Sequence, residues 1–137
     1  MKVAFDLDGT LDKPAVADLA RALLYGGHDV HILTGIFLEA GEWQSLEAKK
    51  EKLGRIGILF ETDDDNDGVF SRFRVAKLHG MEAVDQSYPL EYRLRDLGLR
   101  KGALCEKLGI DLFIDDSTMY CEMVPKMNGY VTVLQVH

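Results

Sequence analysis

Short apolar runs that are too hydrophobic to alternate, each closed by a polar residue and followed by a helix-period stretch, set the tightest limit on this chain. Residues 2–7, KVAFDL, form the first run, stopped by Asp8-Gly9. Pro14 then stands where a first helical residue belongs, and Val16, Leu19, Ala20, Leu23 and Leu24 recur at helical spacing until Gly26-Gly27. Residues 29–34, DVHILT, read as a second strand running into Gly35. Residues 37–53 read as a second helix with Trp43, Leu46 and Leu53 on its apolar side, and 56–60 as a third strand. Further on, the spacing predicts a helix over 100–108, a strand over 111–115 (DLFID), a helix over 118–127 and a last strand over 130–136 (YVTVLQV).

Strands separated by helices, and buried on both faces, predict an α/β fold: a three-layer, Rossmann-like parallel sheet with helices on both sides. The chain reads as one domain, 1–137, in which 61–98 is a variable insert. That insert opens with a polar turn, TDDDNDG, continues through VFSRFRV and holds a helical pattern over 90–97. Its length suits a hairpin and a short helix better than a further folded unit.

A formal net charge of -7 disfavours a long-range nucleic-acid binder, since a polyphosphate would be repelled. The local basic groups, Lys49, Lys50, Lys52 and Arg55, then Arg72 and Arg74, can still touch one anionic group, although most such runs are the solvated face of an element. There is no apolar run of the ~20 residues that a membrane span requires, and MKVAFDLDGT is too short in apolar residues for a signal peptide. A cytoplasmic location is expected, with Cys105 and Cys121 as free thiols, because neither has zinc-site spacing.

In a parallel α/β sheet, ligands sit beyond the C-terminal ends of the strands. The polar strand ends all fall on that edge: Asp6 and Asp8 after the first strand, Thr34 at the second, Asp115 and Asp116 after the strand over 111–115. Carboxylates gathered there repel one another unless a cation sits among them, and an all-oxygen donor set favours Mg²⁺. The spacing of Asp6 and Asp8 puts both carboxylates in one small volume, pointing in different directions, so that one can attack while the other moves a proton. A helix that precedes a parallel strand starts at the same edge, which selects Lys101 as the phosphate-neutralising cation and leaves Lys107 at the far side; Lys77 stays open.

The run VAFDLDGTL resembles the first signature of the haloacid dehalogenase superfamily, HILTG its second, and RKGALCEKLGIDLFIDDS its third and fourth. The likeness spans about two thirds of the chain and leaves 61–98 unmatched. It implies a Mg²⁺-dependent phosphomonoester hydrolase with an aspartyl-phosphate intermediate on Asp6. Asp8 would be the general acid/base and lend a backbone carbonyl to the metal, Thr34 and Lys101 would hold the phosphoryl group, and Asp115 would bind Mg²⁺ with Asp116 beside it. An acid at position 8 speaks against dehalogenation. IDDS followed by TMYCEM is similar to the phosphatase domain of phage polynucleotide kinase and to small deoxynucleotidases, so a nucleotide or a nucleic-acid terminal phosphate is the expected substrate. TGI lacks the Arg such relatives place after Gly, and no P-loop is present. Without an inserted cap the site is expected to be open, with its aspartates exposed or completed by a neighbouring subunit.

The competing reading is a binding or regulatory module of the same fold without turnover. A receiver domain fits poorly, because no Asp directly follows the third apolar run. Asp63-x-Asp65-x-Asp67-Gly68 matches half a calcium loop, but Arg74 stands where the closing Glu belongs, so a solvated turn is expected. His28, His31, His79 and His137 lack ligand spacing, and Trp43, on a helical stripe, is expected in the core.

Overall fold

Six parallel strands in the order β3-β4-β2-β1-β5-β6 form the sheet of the computed structural model, which describes residues 1–62 and 74–137. The strands are β1 (Lys2–Asp6), β2 (Asp29–Ile36), β3 (Phe60–Thr62), β4 (Ala76–Glu82), β5 (Leu112–Asp115) and β6 (Thr132–Gln135). The helices are α1 (Pro14–Tyr25), α2 (Leu46–Ile56), α3 (Leu90–Leu108) and α4 (Thr118–Met127).

The period-2 alternation of β1 divides the core. Val3 and Phe5 pack with Val16, Ala20 and Leu24 of α1 and Leu53 of α2, whereas Ala4 packs with Phe113, Cys105 of α3 and Val124 of α4. The three-layer parallel architecture predicted from the apolar runs is therefore present. Leu19, counted in the apolar stripe of α1, is instead exposed.

Several boundaries differ from the sequence expectation, each for a local reason. The segment 37–53 is not one helix. Gly41, at φ 123, breaks it into two 3-10 turns, Leu38–Ala40 and Glu42–Gln44, and α2 starts only after Ser45, whose hydroxyl accepts a hydrogen bond from the Ala48 N–H. Trp43 consequently lies on the surface, 63% exposed, not in the core. The apolar residue Ile56 ends α2 rather than opening a strand, so β3 begins at Phe60. Thr34 does not close β2, which continues to Ile36 through the ladder with β4. Within 61–98 lies a parallel strand, β4, where a hairpin was expected. The helical patterns over 90–97 and 100–108 are one continuous α3, because Gly98 and Gly102 sit where α3 meets Met123 and Val124 of α4 and need no break. The half calcium loop, Asp63 to Gly68, and Arg72 lie outside the described residues.

No helix among the described residues is long and apolar enough to cross a membrane.

Candidate functional site

From β1 the chain passes to β2 and β4 on one side, and α3 then carries it back to β5 on the other. The order reverses between β1 and β5, the place where an open parallel sheet leaves a crevice at its C-terminal edge. Phe5 pairs with Ile114, so the next residues, Asp6 and Asp115, stand side by side. Alternation puts Asp6 on the face of Ala4, and Asp115 on the face of Phe113, which is the side covered by α3 and α4. Cys105 of α3 packs on that face; Lys101, four residues earlier, lies one turn nearer the edge. The local patterning of three elements thus delivers two carboxylates and one ammonium to the same point.

Lys101 is fully buried, and its Nζ donates to Asp6 Oδ1 at 2.9 Å and stands 3.5 Å from Asp115 Oδ2. The Tyr120 ring lies below it, 4.1 Å from Nζ to the ring centroid. The sequence predicts Lys101 at this edge as the first residue of a helix. It reaches the edge from within the long α3 instead. Asp6, Asp115 and Asp116 each offer a carboxylate oxygen within 4.8 Å of the others.

The backbone that leaves β1 makes one wide turn, Leu7–Leu11, with Gly9 at φ 81. A Cβ on Gly9 would come 2.3 Å from Asp116 Oδ2, so only glycine admits both the turn and the third carboxylate. The same turn swings the buried Thr10 under the cluster. Its hydroxyl accepts the Asp116 N–H at 3.0 Å and has Asp116 Oδ1 and Asp6 Oδ2 as acceptors at 3.1 and 3.3 Å. Ser117 N–H donates to Asp115 Oδ1 at 2.9 Å, which leaves Asp115 Oδ2 buried without a hydrogen-bond partner among the described residues.

Burial dominates the electrostatics here. It pushes the Asp115 carboxyl up to about 8, against the pull of Lys101. The Asp6 carboxyl is raised for the same reason. Burial would lower the Lys101 ammonium, but Asp6 and Asp115 outweigh it and hold that group above its ordinary value.

Asp8 is not in the carboxylate group; Lys49 and Lys52 hold it, Lys52 Nζ at 2.7 Å from Oδ1 and Lys49 on Oδ2. Burial opposes ionisation of Asp8, yet the hydrogen bonds from the two lysines prevail and keep its carboxyl below the usual range. Thr34 is buried one position beyond Leu33, the β1-facing partner of Asp6, and among the described residues no side-chain hydrogen bond links it to the carboxylates. Lys77 is near Asp29, away from the cluster. Asp6 and Asp115 are buried rather than exposed; Asp8 and Asp116, half-buried, reach a cavity of about 230 Å³ lined also by Asp6, Gly35, Phe37, Gln44, Ser117 and Tyr120.

Thr10 and Tyr120 escape a reading of the sequence, as does Asp8 as the anion that the Lys49/Lys52 pair meets. The lysines carry a signal all the same, since a spacing of three puts them on one helix face, which can grip an anion as well as face solvent. Lys49 is 1% exposed, so the solvated-face reading fails for it.

No protein-family profile and no curated protein sequence matches the chain. Among solved structures, a universal stress protein in complex with cAMP superposes over 100% of this chain and 96% of its own, at 13% identity and a TM-score of 0.50. A protein from the universal stress protein family from Burkholderia pseudomallei aligns over 98% of this chain and 94% of its own, at 17% identity and a TM-score of 0.43. These findings correct the resemblance drawn from the motifs. The structure matched at a TM-score of 0.50 is a universal stress protein, a different α/β family, so the haloacid dehalogenase resemblance does not hold, nor do the phosphatase activity and the aspartyl-phosphate on Asp6 that it implied. The physical reason is that acids at the ends of parallel strands recur across many Rossmann-like sheets, so short strand-end motifs specify an edge and not a family.

Proposed function

We propose that the chain binds a small phosphate-bearing ligand through Mg²⁺ at the C-terminal edge of its sheet. The observation that supports this reading is a group of three carboxylate oxygens, one each from Asp6, Asp115 and Asp116, 4.8 Å or less apart, beside a buried Asp115 Oδ2 that has no hydrogen-bond partner among the described residues and only the Lys101 ammonium near it, at 3.5 Å. Lys101 alone cannot neutralise three carboxylates gathered this closely, and a second cation among them would relieve their repulsion. Asp6, Asp115 and Asp116 would hold the ion. An all-oxygen set suits Mg²⁺, which when bound keeps coordination positions for phosphate oxygens.

The chain's own residues divide the remaining work. Lys101 offsets one of the three carboxylate charges and fixes Asp6 and Asp115 against each other. With the Asp115 carboxyl pushed up to about 8, a divalent ion entering the group would displace its proton. Thr10 aims Asp116. Asp8, kept ionised by Lys49 and Lys52, stands on the cavity wall as an acceptor for a ligand hydroxyl. The ligand of the solved neighbour, cAMP, belongs to the same chemical class, though at 13% identity that neighbour speaks for the fold alone.

Calorimetric titration tests the reading, with MgCl₂ first and inorganic phosphate or ribose 5-phosphate second. Mg²⁺ at about 100 times its Kd stabilises the fold by about 2.7 kcal/mol. Phosphate then binds only in its presence, and Asp115→Asn abolishes both responses. A Mg²⁺ response no larger than that of NaCl at equal ionic strength, or phosphate binding indifferent to Asp115→Asn, overturns it.

A further inference from the structure

Trp43, the one tryptophan of the chain, is 63% exposed, yet it is not loose. Its Nε1–H donates to the Ala40 carbonyl at 2.9 Å, and a Cβ on Gly41 would stand 3.2 Å from its Cδ1, so the absence of that atom lets the indole lie against the backbone. The ring lines two cavities. The larger, about 720 Å³, carries Glu42, Glu47, Glu51, Lys52 and Arg55 on its wall and suits charged or hydrated groups. The smaller, about 320 Å³, is walled by Phe37, Trp43, Leu90 and Leu94, and it adjoins the carboxylate cavity, sharing Phe37 and Gln44 with it.

The polar groups on the wall of the smaller cavity are already paired with one another. Arg93 is buried; it pairs with Glu39, donates from Nε to the Val84 carbonyl at 3.0 Å and holds its guanidinium 5.4 Å from the Phe37 ring centroid. The two charges cancel, and the same contacts fix the Phe37 ring. The Trp43 N–H and the Ala40 carbonyl satisfy each other. What remains for a ligand is ring face and leucine side chain, with Leu90 61% exposed beside Trp43. An apolar group gains by covering these surfaces, whereas a sugar or an ammonium would give up its water without finding a partner. Gln44, at the junction of the two cavities, differs. Its Oε1 accepts from Lys49 Nζ at 3.0 Å, which leaves its NH₂ as a donor without a partner among the described residues. A donor at that junction suits an ester oxygen, the atom that joins an anionic end to an apolar one.

We infer that the cavity walled by Phe37, Trp43, Leu90 and Leu94 takes the uncharged hydrocarbon end of the ligand, which makes that ligand a phosphate monoester of a phenol or an apolar alcohol, its phosphate at the Asp6–Asp115–Asp116 edge. The inference rests on the phosphate-binding reading above and names the ligand class for the same site.

With Mg²⁺ present, phenyl phosphate is expected to bind about tenfold more tightly than methyl phosphate, the difference coming from the ring buried in the cavity. Its binding should also shift Trp43 emission to shorter wavelength, which methyl phosphate does not do; no other tryptophan obscures the signal. Leu90 lies in the first turn of α3, where Glu91 already stands and an acid is well tolerated. Leu90→Asp should therefore fold and, by setting a charge in the apolar wall, bring the ratio of the two affinities close to one. Taking the ratio cancels the effect of the added charge on the phosphate itself. Affinities that are equal in the parent and both Mg²⁺-dependent, or a ratio that survives Leu90→Asp, would overturn the hydrocarbon seat and leave the phosphate reading intact. An emission shift of Asp115→Asn by benzyl alcohol, with no Mg²⁺-dependent phosphate binding in the parent, would support the apolar seat and overturn the ester as its ligand. A dimer in sedimentation that Leu90→Asp splits, and that phenyl phosphate does not compete with, would assign the cavity to a second copy of the chain and overturn the inference.

Discussion

His31 of β2 and His79 of β4 are buried side by side, His31 Nδ1 standing 3.0 Å from His79 Nε2 with the rings stacked at 5.2 Å between centroids. Burial lowers the His31 imidazole below its ordinary value of 6.5, partly opposed by Asp29 at 3.3 Å. A base held neutral in the fold takes up fewer protons than it does in the unfolded chain. Its contribution to stability is therefore complete above about pH 6.5 and is lost as the pH falls below it. The raised carboxyls of Asp6 and Asp115 act with the opposite sign, so the informative quantity is a difference. Urea unfolding of the parent and His31→Leu proteins between pH 7.5 and 5 should show the variant gaining on the parent as the solution is acidified. A constant gap across that range would mean that His31 takes up its proton without resistance. The sequence leaves these histidines to surface or packing roles; that the two pack on each other, 48 positions apart, follows only from β2 and β4 being neighbours.

Two helices carry glycines with opposite consequences. Gly54 lies on the exposed side of α2, with no atom within 4 Å of where a Cβ would stand. Gly54→Ala should stabilise the protein by about 0.5–1 kcal/mol, since alanine loses less backbone freedom on folding. Gly102 of α3 faces α4, where the added Cβ would meet the Val124 carbonyl at 2.6 Å. Gly102→Ala should cost about 1–3 kcal/mol despite alanine's better helix propensity, because backbone has to move. Chemical denaturation of the two variants separates these effects. The site has a stake in the second, since α3 holds Lys101 one position away from this contact. From sequence, a glycine inside a helical pattern reads as a weak point or an end, and here that reading divided α3 into two pieces. Whether the glycine is a gap or a close contact depends on a neighbour that the helix's own periodicity does not encode.

Across the whole molecule, 23 acidic side chains face 16 Lys and Arg, a formal charge of -7. Such an excess works against the compact state by self-repulsion, and salt relieves it as the screening length falls from about 30 Å at 0.01 M to about 8 Å at 0.15 M. Raising NaCl over that range should therefore increase stability by about 0.5 kcal/mol, read as a shift of the urea midpoint. This general response is the baseline that a specific Mg²⁺ effect has to exceed. A fall in the midpoint would mean that screened ion pairs, such as Lys52 with Asp8 and Asp12, outweigh the repulsion.

What the sequence determined by itself was the layering and the edge. Runs too apolar to alternate require cover on both faces, and a parallel sheet gathers its strand ends on one side, so Asp6 and Asp115 had to emerge together. Periodicity, however, is a local property. Lys101 meets Asp6 across 95 positions and Lys49 meets Asp8 across 41, and Trp43 is exposed because Gly41 ends the helical pattern that would have buried it. Those encounters, together with Thr10 beneath the carboxylates, were decided by tertiary packing, in which side chains meet according to which elements lie against each other.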